Sequence, residues 1–96
     1  MVSPLDFLTS NKVMWQVILS REAQKHYNYL SKSNKGKVKK KLLALQENPL
    51  SGKKLTGSLT NYRSLRVWPY RIIYTINKQE QKIEVSDILH RQGAYR

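Results

Sequence analysis

The sequence predicts an α+β domain of the order β-α-α-β-β-β, a helical hairpin packed on one face of a small, twisted, mainly antiparallel sheet. Three observations carry that reading. Helical periodicity is confined to residues 21–47, and runs rich in β-branched and aromatic residues bracket it on both sides. A chain of 96 residues has room for one core only, because a domain of this size buries roughly 60–65% of its unfolded surface. Helices and strands segregated along the chain also favour a layered α+β arrangement over alternating βαβ units.

Residues 1–12 read as an N-terminal extension with scattered apolar anchors, Val2, Leu5, Phe7 and Leu8, and residues 13–96 as the domain. Residues 13–19 (VMWQVIL) are β-branched, aromatic and too short for a helix, so they read as a strand. Ser20 offers a hydroxyl to the next helix start, and Glu22 sits where a helix N-terminus favours negative charge. Ala23, Tyr27 and Leu30 then recur at i, i+4, i+7, giving one apolar stripe to about residue 30. Residues 31–34 interrupt it, and a second helix runs from about Lys35 to Glu47 with Val38, Leu42 and Leu45 on one face. Asn48-Pro49 ends it, since proline removes a backbone donor and restricts the residue before it. So tight a turn between two short helices predicts an antiparallel hairpin.

A loop with Gly52, Gly57 and several hydroxyl residues extends through Asn61. Residues 62–68 and 70–76 read as two strands joined by a turn at Pro69, and residues 82–89 as the last strand. Its alternation slips near Ser86-Asp87, which predicts a bulge.

Composition narrows the function classes. With 40% hydrophobic and 25% charged residues the chain can bury a core and is not intrinsically disordered. It has no cysteine, which excludes a disulfide framework or a cysteine-based zinc site, and its two histidines, His26 and His90, are too few for a metal cluster. No metal or cofactor is expected. The longest fully apolar run, residues 42–45, is far short of a membrane span, and the first residues lack the pattern of a signal peptide. A cytoplasmic protein with no membrane partner is the expectation. Eighteen Lys and Arg against six Asp and Glu give a net charge of +12, which favours a polyanionic or acidic partner.

The polar residues of the last three strands are the candidates for chemistry. Arg63, Arg66, Arg71 and Arg91, with Tyr62, Tyr70, His90 and Tyr95, crowd into 34 positions. Period two puts Tyr62, Ser64, Arg66 and Trp68 on one side of their strand and Arg63, Leu65 and Val67 on the other. Leu65 and Val67 are core candidates, so Arg66 should face the uncovered side. The next strand is apolar on both faces, and pattern alone leaves the direction of Arg71 open.

Taken in order, Leu55-Thr56-Gly57, the strand Tyr62-Arg63-Ser64-Leu65-Arg66-Val67, the block Tyr70-Arg71-Ile72-Ile73-Tyr74, and His90-Arg91 followed by Tyr95 resemble the RelE/ParE toxin superfamily over about residues 13–96. The resemblance implies the RelE-like fold and a toxin of a type II toxin–antitoxin pair. RelE-type members cleave mRNA in the ribosomal A site, and ParE-type members poison DNA gyrase. Residue by residue, Arg66 matches a basic strand position of the cleavage site, Arg71 the arginine of the Tyr-Arg block, and Arg91 and Tyr95 the terminal pair. Arg63 matches another basic position, and His90 stands where some members carry lysine. The expected activity is metal-independent endoribonuclease cleavage of mRNA, inhibiting translation. The expected partners are a small acidic antitoxin, mRNA on the ribosome and rRNA. A ParE-like gyrase inhibitor and a non-catalytic basic RNA-binding module are the alternatives.

The residue types suit the chemistry. Cleavage by the 2′-hydroxyl needs a base, charge stabilisation at phosphorus and an acid for the leaving 5′-oxygen. Arginine presents a planar fork of donors to phosphate oxygens. Imidazole suits proton transfer near neutral pH, which makes His90 a candidate acid or base. A phenol is ordinarily a poor base, with a pKa of about 10, but neighbouring arginines favour its phenolate, so Tyr95 joins the catalytic candidates. Lys37, Lys39, Lys40 and Lys41 either form a solvated helix face or grip rRNA phosphates.

Overall fold

The computed structural model describes residues 15–59 and 61–91. Strand β1 (Gln16–Leu19) leads into helices α1 (Arg21–Tyr29) and α2 (Lys32–Glu47), then a one-turn 3-10 helix, Pro49–Ser51. Strand β2 (Lys53–Lys54) and a second 3-10 turn, Gly57–Leu59, precede β3 (Arg63–Val67), β4 (Tyr70–Asn77) and β5 (Lys82–His90). The five strands lie in the order β1-β5-β4-β3-β2. β1 runs parallel to β5, and every other neighbouring pair is antiparallel. The expected α+β architecture is realised, while the N-terminal extension at 1–12 lies outside the described residues.

Most strand ends shift by a residue or so from the sequence expectation, and two larger differences stand out. Lys53 and Lys54 fall in a stretch read as loop, yet they pair with Ser64 and Arg63. Two residues have no periodicity to detect, and their pairing depends on a strand about ten positions away. Helix α2 begins at Lys32, three residues early, because the Ser31 hydroxyl accepts the Asn34 backbone N–H at 3.2 Å and makes residues 31–34 a cap and first turn.

Both helices lie on one face of the sheet. Ala23 and Leu30 from α1 and Val38, Leu42 and Leu45 from α2 form one buried cluster with Val67, Ile72, Tyr74, Ile83, Val85 and Ile88. Burying each large side chain contributes roughly 1.5–3 kcal/mol, so this face holds the fold together. α1 packs mainly on β5, and α2 on β1 and β3. Ser20 caps α1 as expected, accepting the Ala23 N–H at 3.0 Å and donating its own proton to the Ser86 carbonyl at 2.7 Å. The cap therefore ties the helix to β5.

The bulge falls where the alternation slips. Ile73 pairs with Asp87 and Tyr74 with Val85, leaving Ser86 as the extra residue. The parity of core positions switches there, so Ile83, Val85 and Ile88 all reach the same core.

Tyr74 anchors the loop that delivers β2. Its hydroxyl donates to the Pro49 carbonyl at 2.6 Å and accepts the Gly52 N–H at 2.9 Å, while Arg63 Nη1 donates to the Gly52 carbonyl at 2.8 Å. Burial pushes the Tyr74 phenol above its ordinary pKa, more than the Gly52 hydrogen bond and the Arg63 charge pull it down. Because the folded-state value is the raised one, the neutral phenol stabilises the fold below about pH 10, and that contribution is lost as pH climbs through the raised value. Tyr74→Phe should cost about 1–3 kcal/mol at neutral pH. Urea unfolding at neutral and alkaline pH checks both points, since the variant should also lose part of the alkaline destabilisation.

Candidate functional site

The face of the sheet away from the helices carries a row of cations, placed there by strand register. Arg66 on β3 pairs with Arg71 on β4, which pairs in turn with Leu89 on β5. One step along, Lys53 pairs with Ser64 and Ser64 with Ile73. Arg71 points this way because Ile72 and Tyr74 are fully buried in the core, which settles the direction that pattern left open. Arg66 is exposed, as its position opposite Leu65 and Val67 predicts. Like charges directly opposed across a ladder repel, so the register that sets Arg66 opposite Arg71 favours an anion beside them. Ser64 is only 5% exposed, and its hydroxyl has no hydrogen-bond partner among the described residues. That leaves a buried donor beside the cations.

At the β3–β4 turn a groove of about 370 Å³ opens, lined by Lys37, Lys40, Lys41, Arg66, Val67 and Trp68. Helix geometry selects these lysines: 37, 40 and 41 stand at i, i+3, i+4 and share one flank of α2, whereas Lys39 lies on the other flank and does not line the groove. Trp68 is 56% exposed, and the Arg91 guanidinium sits 4.8 Å from its ring centroid. Arg91 is held there by its backbone N–H, which donates to the Pro69 carbonyl at 2.7 Å. Among the described residues the ion pairs are His26 with Asp87 and Lys82 with Glu80 at 2.8 Å. The Lys82–Glu80 pair, in which Lys82 pulls the Glu80 carboxyl pKa down and Glu80 pushes the Lys82 pKa up, lies at the opposite end of β5 from His90. Neither of these pairs among the described residues involves a cation of the groove.

The structure brings Arg66 and Arg71 together on the open face, and Arg66 with Lys37, Lys40 and Lys41 at the groove. Arg63 lies on the other face, half-buried and bound to Gly52, so it serves the loop. His90 is on the helix side of the sheet end, its ring edge-on to Tyr70 at 5.3 Å. Tyr95 lies outside the described residues. Sequence reasoning missed Lys53, hidden in an apparent loop, and Trp68, whose exposure is unusual for so large an apolar ring. It also missed the contact between His26 and Asp87, 61 positions apart. Clustered lysines and arginines beside an exposed indole can hold a phosphodiester backbone and stack a base, the general requirements for binding single-stranded nucleic acid.

The family model for the ParE toxin of type II toxin–antitoxin systems matches residues 13–95. Among solved structures, the toxin–antitoxin complex RelBE2 from Mycobacterium tuberculosis is similar with a TM-score of 0.77 and 25% identity, covering 82% of this chain and 100% of that one. An archaeal RelE–RelB complex from Pyrococcus horikoshii matches with a TM-score of 0.69 and 20% identity over 84% of this chain and 99% of the other. The free RelE toxin of E. coli, in a mutant form, matches with a TM-score of 0.71 and 21% identity over 84% and 87% of the two chains. No curated protein sequence matches.

Proposed function

The chain belongs to the ParE toxin family of type II toxin–antitoxin systems, within the RelE/ParE superfamily, and from that premise we propose that it is an mRNA-cleaving toxin that acts on the ribosome and is silenced by a small acidic antitoxin. The observation that carries this reading is the convergence of Arg66, Arg71, Lys37, Lys40 and Lys41 with the Arg91–Trp68 stack at one end of the sheet. A surface that only had to bind a protein such as gyrase has no need of so many cations around a single groove. Arg71 and Arg66 hold the scissile phosphate and stabilise the charge that builds on it, because guanidinium forks match its oxygens. Arg91 adds charge beside them. Proton transfer falls to His90, at the end of β5, and to Tyr95. Lys37, Lys40 and Lys41 grip flanking rRNA or mRNA phosphates and supply affinity without sequence preference.

In vitro translation with primer extension on the mRNA tests the reading. Discrete cleavage sites within translated codons are expected. Intact mRNA, together with inhibited supercoiling by purified gyrase, would instead establish a gyrase poison, the reading that the name of the matching family favours.

The antitoxin follows from charge. A partner that binds a +12 chain tightly must offset part of that charge, so an acidic segment with apolar anchors is expected. The similar chain from M. tuberculosis is itself part of a toxin–antitoxin complex, and that from P. horikoshii of a RelE–RelB complex. The association rate of toxin and antitoxin should fall steeply as salt rises, measured by stopped-flow mixing. A rate insensitive to salt would show that long-range electrostatics does not steer the pair.

A further inference from the structure

We propose that the segment ahead of β1 folds back and seats Phe7 and Leu8 in the apolar cavity at the far end of the sheet, with Asp6 paired to Lys78 on its rim. Trp15, Pro49, Leu50, Ile76, Lys78 and Gln81 line that cavity, whose volume is about 360 Å³. It lies at the opposite end of the sheet from the cations. Arg71 is the second residue of β4 and Ile76 the seventh, about 17 Å further along the strand. Leu50 is 61% exposed, and an aliphatic side chain left so open gains stability from an apolar cover. The volume falls within the range of small-ligand sites, so the cavity can take an aromatic ring.

The occupant follows from where the chain enters. Trp15, the first described residue, is a wall of the cavity and packs half-buried against the core, and its backbone N–H donates to the Gln46 carbonyl at 3.1 Å. The next residue, Gln16, donates to the Gln81 carbonyl at 3.1 Å, which holds the β4–β5 turn against the start of β1. Residues 1–14 therefore join the fold at the cavity itself. An extended chain spans at most about 3.3–3.6 Å per residue, so the eight steps from Trp15 back to Phe7 give ample length to return. Thr9-Ser10-Asn11-Lys12 is polar and carries Ser and Asn, residue types that favour turns. A reversal centred on Ser10 and Asn11 sets Leu8 opposite Val13, Phe7 opposite Met14 and Asp6 opposite Trp15.

Charge points the same way. Asp6 is the one acidic residue among residues 1–14, and Lys78 takes part in neither ion pair of the described residues. A second copy or an antitoxin would have to bring its apolar anchor from solution, whereas Phe7 and Leu8 are tethered beside the cavity at an effective concentration of about the millimolar range. The family model matches from residue 13, so the seated residues are additional to the domain it describes. Seated this way, the segment seals the end at which β1 meets the β4–β5 turn and leaves the groove around Arg66 open.

The chain has no cysteine, so introduced pairs report the contact without background. In the full chain, oxidation of Asp6→Cys/Lys78→Cys should close an intramolecular disulfide at least about 10-fold faster than oxidation of Asp6→Cys/Glu84→Cys, because seating concentrates only the first pair. Lys78 and Glu84 are both exposed, so neither change disturbs the core, and Glu84 is within reach because it pairs with Ile18 on β1. Phe7→Ala should bring the two rates together and lower the melting temperature by about 4–8 °C. Equal rates for the two pairs would show an unseated segment and overturn the proposal. Fast closure that Phe7→Ala leaves unchanged would overturn it too, since the ring would not be the anchor. Disulfides formed only between two chains would give the cavity to a second copy. Alkylation of Leu50→Cys that is blocked only once the antitoxin binds would give it to that partner, and either result sinks the assignment.

Discussion

Replacing Arg71 with alanine is expected to cut mRNA cleavage by at least about 100-fold and to abolish growth inhibition in a protein that stays folded. Removing one preorganised donor to developing charge typically costs that much. Arg71 lies centrally among the cations of the open face, between Arg66 on one strand and Leu89 on the next. Its β4 neighbour Ile72 points into the core and carries the packing. Arg71→Lys should recover little, since an ammonium keeps the charge but not the planar pair of donors. Arg66→Ala should cost less, because the exposed guanidinium is shared between the open face and the α2 groove, whose lysines remain. Cleavage kinetics, growth curves and circular dichroism on the same preparations give the answer. Full toxicity in a folded Arg71→Ala variant would remove Arg71 from the site.

Gly52→Ala is expected to destabilise the fold by about 2–5 kcal/mol, combining overpacking with a lost buried hydrogen bond. A methyl built on Gly52 would lie 2.5 Å from the Tyr74 hydroxyl oxygen and 2.7 Å from a ring carbon. The ring cannot yield, because Tyr74 is fully buried and its hydroxyl is bonded to both Pro49 and Gly52. The glycine is required by this close approach and not by its backbone, whose φ is −77°. Differential scanning calorimetry should show a melting temperature lower by roughly 10 °C or more. The double variant with Tyr74→Phe should cost less than the sum of the singles, since the closest clash disappears with the hydroxyl. Additive costs would show that the loop moves aside and that the contact is not rigid. Activity should fall with stability here, because the same loop carries Lys53 to the open face.

Local signals were enough for much of this architecture. Of the helix stripes, Ala23, Leu30, Val38, Leu42 and Leu45 lie in the core, and Tyr27 is half-buried against it. Ser20 caps the helix it was assigned, and the slip in alternation at Ser86-Asp87 marks the bulge. Each depends on neighbours a few positions away, and short-range periodicity records such neighbours faithfully. The side on which Arg66 stands was legible for the same reason, because Leu65 and Val67 fix the opposite face as core.

Position across the sheet was not legible. Arg71 flanks a strand that is apolar on both faces, and only the depth of Ile72 and Tyr74 in the tertiary core turns it outward. Arg63 looks as basic as Arg66 in sequence, yet register places it under the loop, bound to Gly52. Lys53 joins the cationic face through a two-residue strand, and His26 meets Asp87 across 61 positions through a bulge whose position was foreseen but whose consequence was not. Local pattern suffices to say which faces of which elements are apolar, and hence the class and order of the fold. The tertiary structure alone decided which cations share a space, because pairing register and long-range packing arise between segments that carry no record of one another in their local pattern.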